Sequence, residues 1–298
     1  MKKKNLLALV LALCLCFALA ACSSSDGGSQ DTAPSDTGTT EPSDSGAAEP
    51  SDSAEPSDSA ESDLAYVQDK GTLVVGITEF DPMDYQDADG NWIGFDADMA
   101  KAFAESLGVE AQFQVIEWDN KVMELDGKTI DVVWNGMTLT DEVLSAMECS
   151  NAYCNNAQVV VVPADQADQY QDIDSLSGLT FAVESGSAGQ QQAEENGFTY
   201  NEVLDQATAL LEVSSGTSDA AIIDSLMAGA MVGEGTSYDN LTYTVTLNEE
   251  EGEQYGVGFR KGSDLCAALN EFFASSYADG TMMTIAETYG VQAAIIPQ

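Results

Sequence analysis

From Leu64 onward the chain alternates between two kinds of apolar spacing. Thr72-Leu73-Val74-Val75-Gly76-Ile77 is a short β-rich run, whereas Phe95, Met99, Ala102, Phe103 and Leu107 recur at helical intervals and share one face, which Gly108 closes. The stretch between them, EFDPMDYQDADGNW, carries Pro82 and the turn Asp89-Gly90 and reads as a loop. Ala111 to Ile116 follows as a strand, Asn120 to Leu125 as a short helix before Gly127, and Val132-Val133-Trp134 as another strand. Later, Thr180 to Val183 leads to a helix at Gln190, and Ala220 to Ile223 leads to a helix over Ser225 to Val232. This strand-helix order predicts an α/β fold with mostly parallel sheets, helices on both faces and ligands at the carboxyl ends of the strands.

One corner of that pattern combines several signals. The apolar run Val132 to Trp134 stops at Asn135-Gly136, and Thr138-Leu139-Thr140-Asp141-Glu142 then places threonines and acids where a helix start prefers them. A strand, a tight turn and a helix are expected here. A helix start leaves backbone N–H groups unpartnered and carries partial positive charge, so a carboxylate could settle there beside the hydroxyls of Thr138 and Thr140. The same pattern also serves corners that bind nothing.

The first residues follow a different rule. Three lysines precede the apolar run Asn5 to Ala21, and Leu19-Ala20-Ala21 ends in small residues before Cys22, which together read as a secretory signal too short for a good membrane span. With cysteine at the cleavage point, the segment resembles the lipobox of bacterial lipoproteins. That implies a signal over residues 1–21 and a lipid on Cys22. Residues 22–63 then contain Ser, Asp, Glu, Pro, Thr, Gly and Ala in a loose repeat, EPSDSGAAEPSDSAEPSDSAES, without large apolar side chains. Such a segment cannot bury enough surface to offset its ordering entropy, so it is expected to be an acidic tether spanning on the order of 35 Å.

Composition narrows the chemistry. With 51 acidic and 9 basic residues the formal charge is −42. Beyond the signal the cations are Lys70, Lys101, Lys121, Lys128, Arg260 and Lys261, too scattered for a nucleic-acid partner. There is no histidine, which removes the usual general base and most metal sites. No cofactor, metal site or catalytic residue is expected. Cys149 and Cys154 stand close in a secreted chain and are a candidate disulfide, with Cys266 left as a small buried residue.

Eight segments in order carry a resemblance across nearly the whole globular region: GTLVVGITEFDPMDY, DADGNWIGFDADMAKAFAESLGV, WDNKVMEL, DVVWNGMTLT, SGLTFAVESGSA, SDAAIID, YGVGFRKG and ADGTMMTIAETYG. They resemble the extracellular solute-binding proteins of family 3, the polar amino-acid receptors of ABC importers. The resemblance implies a type II periplasmic-binding-protein fold, with two lobes joined by two hinge strands, Gln158 to Val162 and Tyr255 to Phe259. Lobe 1 would cover residues 64–157 plus 255–298, and lobe 2 residues 158–254. It also implies a monomer anchored to the extracytoplasmic face of the cell membrane, which hands an amino acid or related small polar or cationic ligand to a membrane permease. Two other readings stay open, an enzyme of the dehydratase kind on the same fold and an orphan ligand-sensing lipoprotein.

Carried over by position, the resemblance makes Tyr85 and Trp118 aromatic walls of the cleft. It places Gly136, Met137 and Thr138 against the ligand's ammonium and carboxylate, Ser187 and Ala188 at a second helix start, and Asp224 against the ammonium. Four of these have a plainer alternative: Tyr85 and Trp118 as core aromatics, Asp224 as a helix N-cap, Ser187 as a turn residue. Glu79, Asp81 and Glu184 are weaker candidates for the distal end of a ligand and read as solvated. One departure stands out. Where the family usually carries an arginine that forks onto the carboxylate, this chain has Val143. Either the helix starts hold the carboxylate unaided, or the ligand has none in that place.

Overall fold

The computed structural model describes residues 62–248 and 252–298; the signal over residues 1–21, Cys22 and the tether up to residue 61 lie outside them. The tether's last residues belong to the first helix. Ser62 caps α1 (Asp63–Lys70), its hydroxyl accepting from the Ala65 N–H at 3.0 Å.

The chain then runs β1 (Thr72–Ile77), the ribbon of β2 (Tyr85–Gln86) and β3 (Trp92–Ile93), α2 (Phe95–Leu107), β4 (Glu110–Val115), α3 (Lys121–Asp126), β5 (Val132–Thr138), α4 (Asp141–Ala146), β6 (Glu148–Cys149) and β7 (Cys154–Asn156). A second group follows: β8 (Gln158–Pro163), β9 (Thr180–Glu184), α5 (Ala188–Glu195), β10 (Thr199–Val203), α6 (Gln206–Ser215), β11 (Ala220–Asp224), α7 (Ser225–Met231) and β12 (Leu241–Thr246). The chain returns through β13 (Glu253–Phe259), α8 (Leu265–Asp279) and α9 (Thr281–Thr288).

These elements form two lobes, each around its own sheet. The first sheet has the order β4-β1-β5-β13-β6, with β7 also on β13; the second has the order β10-β9-β11-β8-β12. Each sheet begins with three parallel strands and ends in antiparallel ones, because β13 returns against β5 and β8 enters against β11. The two strands anticipated as hinges therefore lie in the sheets, β8 in the second and β13 in the first. The chain passes between sheets just ahead of each.

Buried apolar side chains on the predicted faces hold each lobe. Phe95, Met99 and Phe103 bury one face of α2, and Trp134 of β5 meets Phe273 of α8 with ring centroids 5.6 Å apart. In the second lobe Phe181 stacks on Phe198 at 4.7 Å. The glycines of β13 are explained by close neighbours: a side chain at Gly256 would stand 2.6 Å from Leu139 Cδ2, and one at Gly258 would stand 2.7 Å from Met147 Sδ.

Two local expectations change. Asn135-Gly136 does not end its strand, since β5 continues to Thr138 and pairs Met137 with Gly256 and Thr138 with Tyr255. Gly136 has φ +56 and works as a kink inside the strand. The expected pairing of Cys149 with Cys154 is also corrected, because both are free thiols. Cys149 lies opposite Gly258 and Cys154 opposite Tyr255, both on β13. Three residues along one strand separate them by roughly 10 Å, beyond the approximately 7 Å between α-carbons that a bridge tolerates.

Candidate ligand-binding site

A cavity of about 290 Å³ lies between the lobes. The first lobe lines it with Trp118, Lys121, Gly136, Met137, Thr138 and Val143, and the second with Glu184, Ser187, Ala188, Gln206 and Asp224. Thus Trp118, Gly136, Met137, Thr138, Ser187, Ala188 and Asp224, all candidates from the sequence, line one cavity. Tyr85 does not join them. Its short strand β2 turns the ring edge-on to Tyr289, with centroids 6.4 Å apart. The aromatic residue from that loop nearest the kink is Phe80, which a Cβ on Gly136 would approach to 2.5 Å.

The kink is held from behind. The Gly136 N–H donates to Asp96 Oδ2 at 2.7 Å, and the Tyr153 hydroxyl donates to the same oxygen at 2.7 Å. Asp96 is wholly buried, which pushes its carboxyl up to about 7 against these hydrogen bonds. At the next turn Thr140 caps α4, its hydroxyl accepting from the Val143 N–H at 3.2 Å. Ser187 does the same for α5, accepting from the Gln190 N–H at 3.1 Å. Both hydroxyls therefore serve the helix starts that border the cavity.

Asp224 sits at the N-cap position of α7, but its side chain makes no capping bond. It enters a buried network where the chain crosses between lobes. Its Oδ1 accepts from Asn156 Nδ2, from Gln158 Nε2 at 3.1 Å and from the Tyr255 hydroxyl at 2.8 Å, while Oδ2 accepts from Gln206 Nε2. Glu253 shares two of these donors, with Asn156 Nδ2 at 3.0 Å and Gln158 Nε2 at 2.9 Å from its Oε2, which the Thr138 hydroxyl also reaches at 3.3 Å. Burial and mutual repulsion push the Asp224 carboxyl up, and burial does the same to Glu253.

Glu184 overturns the expectation of a solvated side chain, being only 3% exposed. The Thr78 hydroxyl of the first lobe, to which Asn135 Nδ2 donates at 3.0 Å, stands near Glu184 and partly opposes the burial penalty on its carboxylate. Among the described residues, Glu184 Oε1 has no hydrogen-bond partner. Burial first, then Asp224 and Asp205, push its carboxyl up to about 8. Glu79 and Asp81, in contrast, are only partly buried.

Among the described residues that line the cavity, Lys121 is the one basic side chain. Its Nζ donates to the Trp118 carbonyl at 3.2 Å and, across the gap, to the Gly186 carbonyl at 2.9 Å, and it stands 5.0 Å from the centre of the Trp118 ring. Burial lowers its pKa against the pull of Glu184, Asp119 and Glu142. Val143 is 7% exposed and packs among Trp118, Met137 and Met147, so its position offers no charge. Sequence reasoning passed over Lys121, Gln206 and Glu253. The available signal for Lys121 was its place one turn after Trp118 in a chain with few cations. Gln206 and Glu253 gave none, because their roles depend on pairing between distant segments. Among the described residues no group of three or more Cys, Asp or Glu is placed to hold a metal ion, and no helix is long and apolar enough to cross a membrane.

Comparison with known proteins supplies the remaining context. Residues 73–292 match the family described as bacterial extracellular solute-binding proteins, family 3. The L-cystine-binding protein TcyJ of Escherichia coli is 30% identical over 230 residues, covering 76% of this chain and 85% of that protein. The arginine-binding extracellular protein ArtP of Bacillus subtilis is 27% identical over 273 residues, covering 90% and 91%. Among solved structures, an ABC uptake transporter substrate-binding protein from Streptococcus pneumoniae with bound histidine superposes with a TM-score of 0.72 at 29% identity, covering 79% of this chain and 99% of that one.

Proposed function

The chain belongs to the bacterial extracellular solute-binding proteins, family 3, and from that premise we propose that it captures an amino acid or related small polar or cationic ligand between its lobes for an ABC importer. The observation that carries this reading is the cavity itself, which opposes Trp118, Lys121 and the kinked end of β5 to Glu184, Ser187 and Asp224. Lys121 bonding to the Gly186 carbonyl crosses the gap, so the structure has the lobes in contact. Closure of hinged lobes around a ligand is an established repertoire for two-lobed proteins. The relatives bind cystine, arginine and histidine by name, so resemblance alone does not choose the ligand.

The wider arrangement is part of the same proposal. Lobe 1 comprises residues 64–157 and 255–298, and lobe 2 residues 158–254. Cys22 carries the lipid after the signal is removed, residues 22–63 tether the lobes to the outer face of the membrane, and a permease receives the ligand from a monomer. A thermal-shift screen of the purified chain against amino acids, diamines and dipeptides tests the function. A ligand at one hundred times its dissociation constant should add about 2.7 kcal/mol of stability by mass action. If nothing in the panel shifts the transition, the proposal fails, and a ligand recovered chemically changed after incubation would replace it with an enzyme.

A further inference from the structure

The resemblance puts the ligand's ammonium on Asp224, yet both oxygens of that carboxylate already accept from Asn156, Gln158, Gln206 and Tyr255. Glu184 differs in the respect that matters. It lines the same cavity, is 3% exposed, and among the described residues its Oε1 has no donor. A buried polar atom left unmet costs about 1–3 kcal/mol, and a charged one costs more unless it is paired. We propose that Glu184 anchors a cationic group of the ligand, an ammonium or a guanidinium, and so makes the protein select cationic amino acids or amines over neutral ones. This rests on reading the cavity as the ligand site.

The surroundings favour a cation at that point. Glu184 is faced by Asp224 at the end of β11, by Asp205 ahead of α6, by Lys121 of α3 and by the hydroxyl of Thr78 after β1. Two acids thus reinforce it against one lysine. Lys121 is itself held by two carbonyls, at 3.2 and 2.9 Å, and bears a third N–H that could meet a ligand carboxylate. A zwitterion with a further positive group would fit this polarity, its carboxylate toward Lys121 and its cation toward Glu184.

Proton bookkeeping makes the proposal measurable. With the cavity empty, burial and the neighbouring acids keep the Glu184 carboxyl protonated at neutral pH. An arriving cation pairs with the carboxylate, so the O–H bond breaks and the proton leaves to solvent. Binding near pH 7 should therefore release close to one proton.

The experiment is isothermal titration of the purified chain and of Glu184→Gln with L-arginine, L-lysine and L-citrulline, the last replacing the guanidinium by a neutral urea group. Two buffers of different ionisation enthalpy give the proton count. The wild type should bind arginine or lysine about tenfold or more tightly than citrulline and release a proton. In Glu184→Gln both the preference and the proton release should disappear. Equal affinity for arginine and citrulline in the wild type, binding of neutral amino acids alone, or a preference that survives in Glu184→Gln overturns the role of Glu184 but leaves the cavity as a ligand site. If none of the three ligands and nothing in the thermal-shift panel binds, the functional proposal fails and this inference with it. Glutamine matches the protonated acid in shape; should the variant nevertheless not fold, the arginine-to-citrulline ratio and the proton count in the wild type still decide.

Discussion

Replacing Glu184 by glutamine should change how stability depends on pH, even without ligand. Burial and neighbouring acids lift the Glu184 carboxyl from its usual 4.5 to about 8. In the unfolded chain the group loses its proton near the usual value, whereas in the fold it keeps the proton until about 8. The folded state therefore binds more protons between those limits. The stability this group contributes is complete below the unfolded pKa and is lost as pH rises through the folded one. At about 1.4 kcal/mol per unit, the loss between pH 5 and pH 9 amounts to about 4 kcal/mol. For a chain of this size that corresponds to roughly 8–16 °C in melting temperature. Asp96, Asp84, Asp224 and Glu253 are raised by burial too and add to the wild-type slope, so the comparison with Glu184→Gln isolates one group. The assay is thermal unfolding followed by circular dichroism from pH 5 to pH 9, after dialysis of the unfolded chain to remove co-purified ligand. The two proteins should melt together at pH 5, and the variant should melt at the higher temperature at pH 9. Parallel curves over the whole range would refute the buried, protonated state of Glu184.

Four further outcomes follow from specific contacts. Gly136→Ala puts a Cβ 2.5 Å from Phe80 Cε1 at φ +56, so chemical denaturation should show a loss of about 3 kcal/mol. Arg260→Met removes the guanidinium that pairs with Asp63 at 3.0 Å and caps the carbonyls of Leu125 and Ile130 at 3.1 and 2.9 Å. Leaving Asp63 without its partner should cost about 3–5 kcal/mol in the same measurement. Val143→Arg supplies the charge the cavity lacks at that position, and should tighten binding of an amino acid about tenfold or more relative to its decarboxylated amine by calorimetry; an equal change for both would show that no carboxylate lies there. Thiol titration of denatured, unreduced chain lacking its first 22 residues should count Cys149, Cys154 and Cys266 as free, and a count of one would restore the bridge.

Much of the scaffold was legible because its signals are local. The helical face of Phe95, Met99 and Phe103, the stop at Gly108 and the β-rich run from Thr72 to Ile77 all follow from spacing and turn chemistry. Asn135-Gly136 was misread because the pair is a strong turn signal on its own. Here a distant acid, Asp96, holds the glycine while β13 continues the pairing past it. Glu184 was misread for a related reason. A glutamate at a strand end beside Ser185-Gly186 looks solvated, but in the fold it is 3% exposed, with Asp224 and Asp205 of its own lobe and Thr78 and Lys121 of the other around it. The spacing of Cys149 and Cys154 allowed a bridge, and their common partner strand forbids it. The candidate site was readable where the resemblance supplied positions, but the charges that distinguish it, Lys121 and Glu184, depend on what the second lobe brings opposite the first.

The most direct test of ligand capture between the lobes is the intrinsic fluorescence of Trp118. The chain has three tryptophans, and of these Trp118 lines the cavity while Trp134 is wholly buried in the core of the first lobe. A ligand that raises the melting temperature should also change the emission, and Trp118→Phe should remove most of that change while the ligand still stabilises the variant. An emission change that survives intact in Trp118→Phe would place the ligand elsewhere and contradict capture in this cavity.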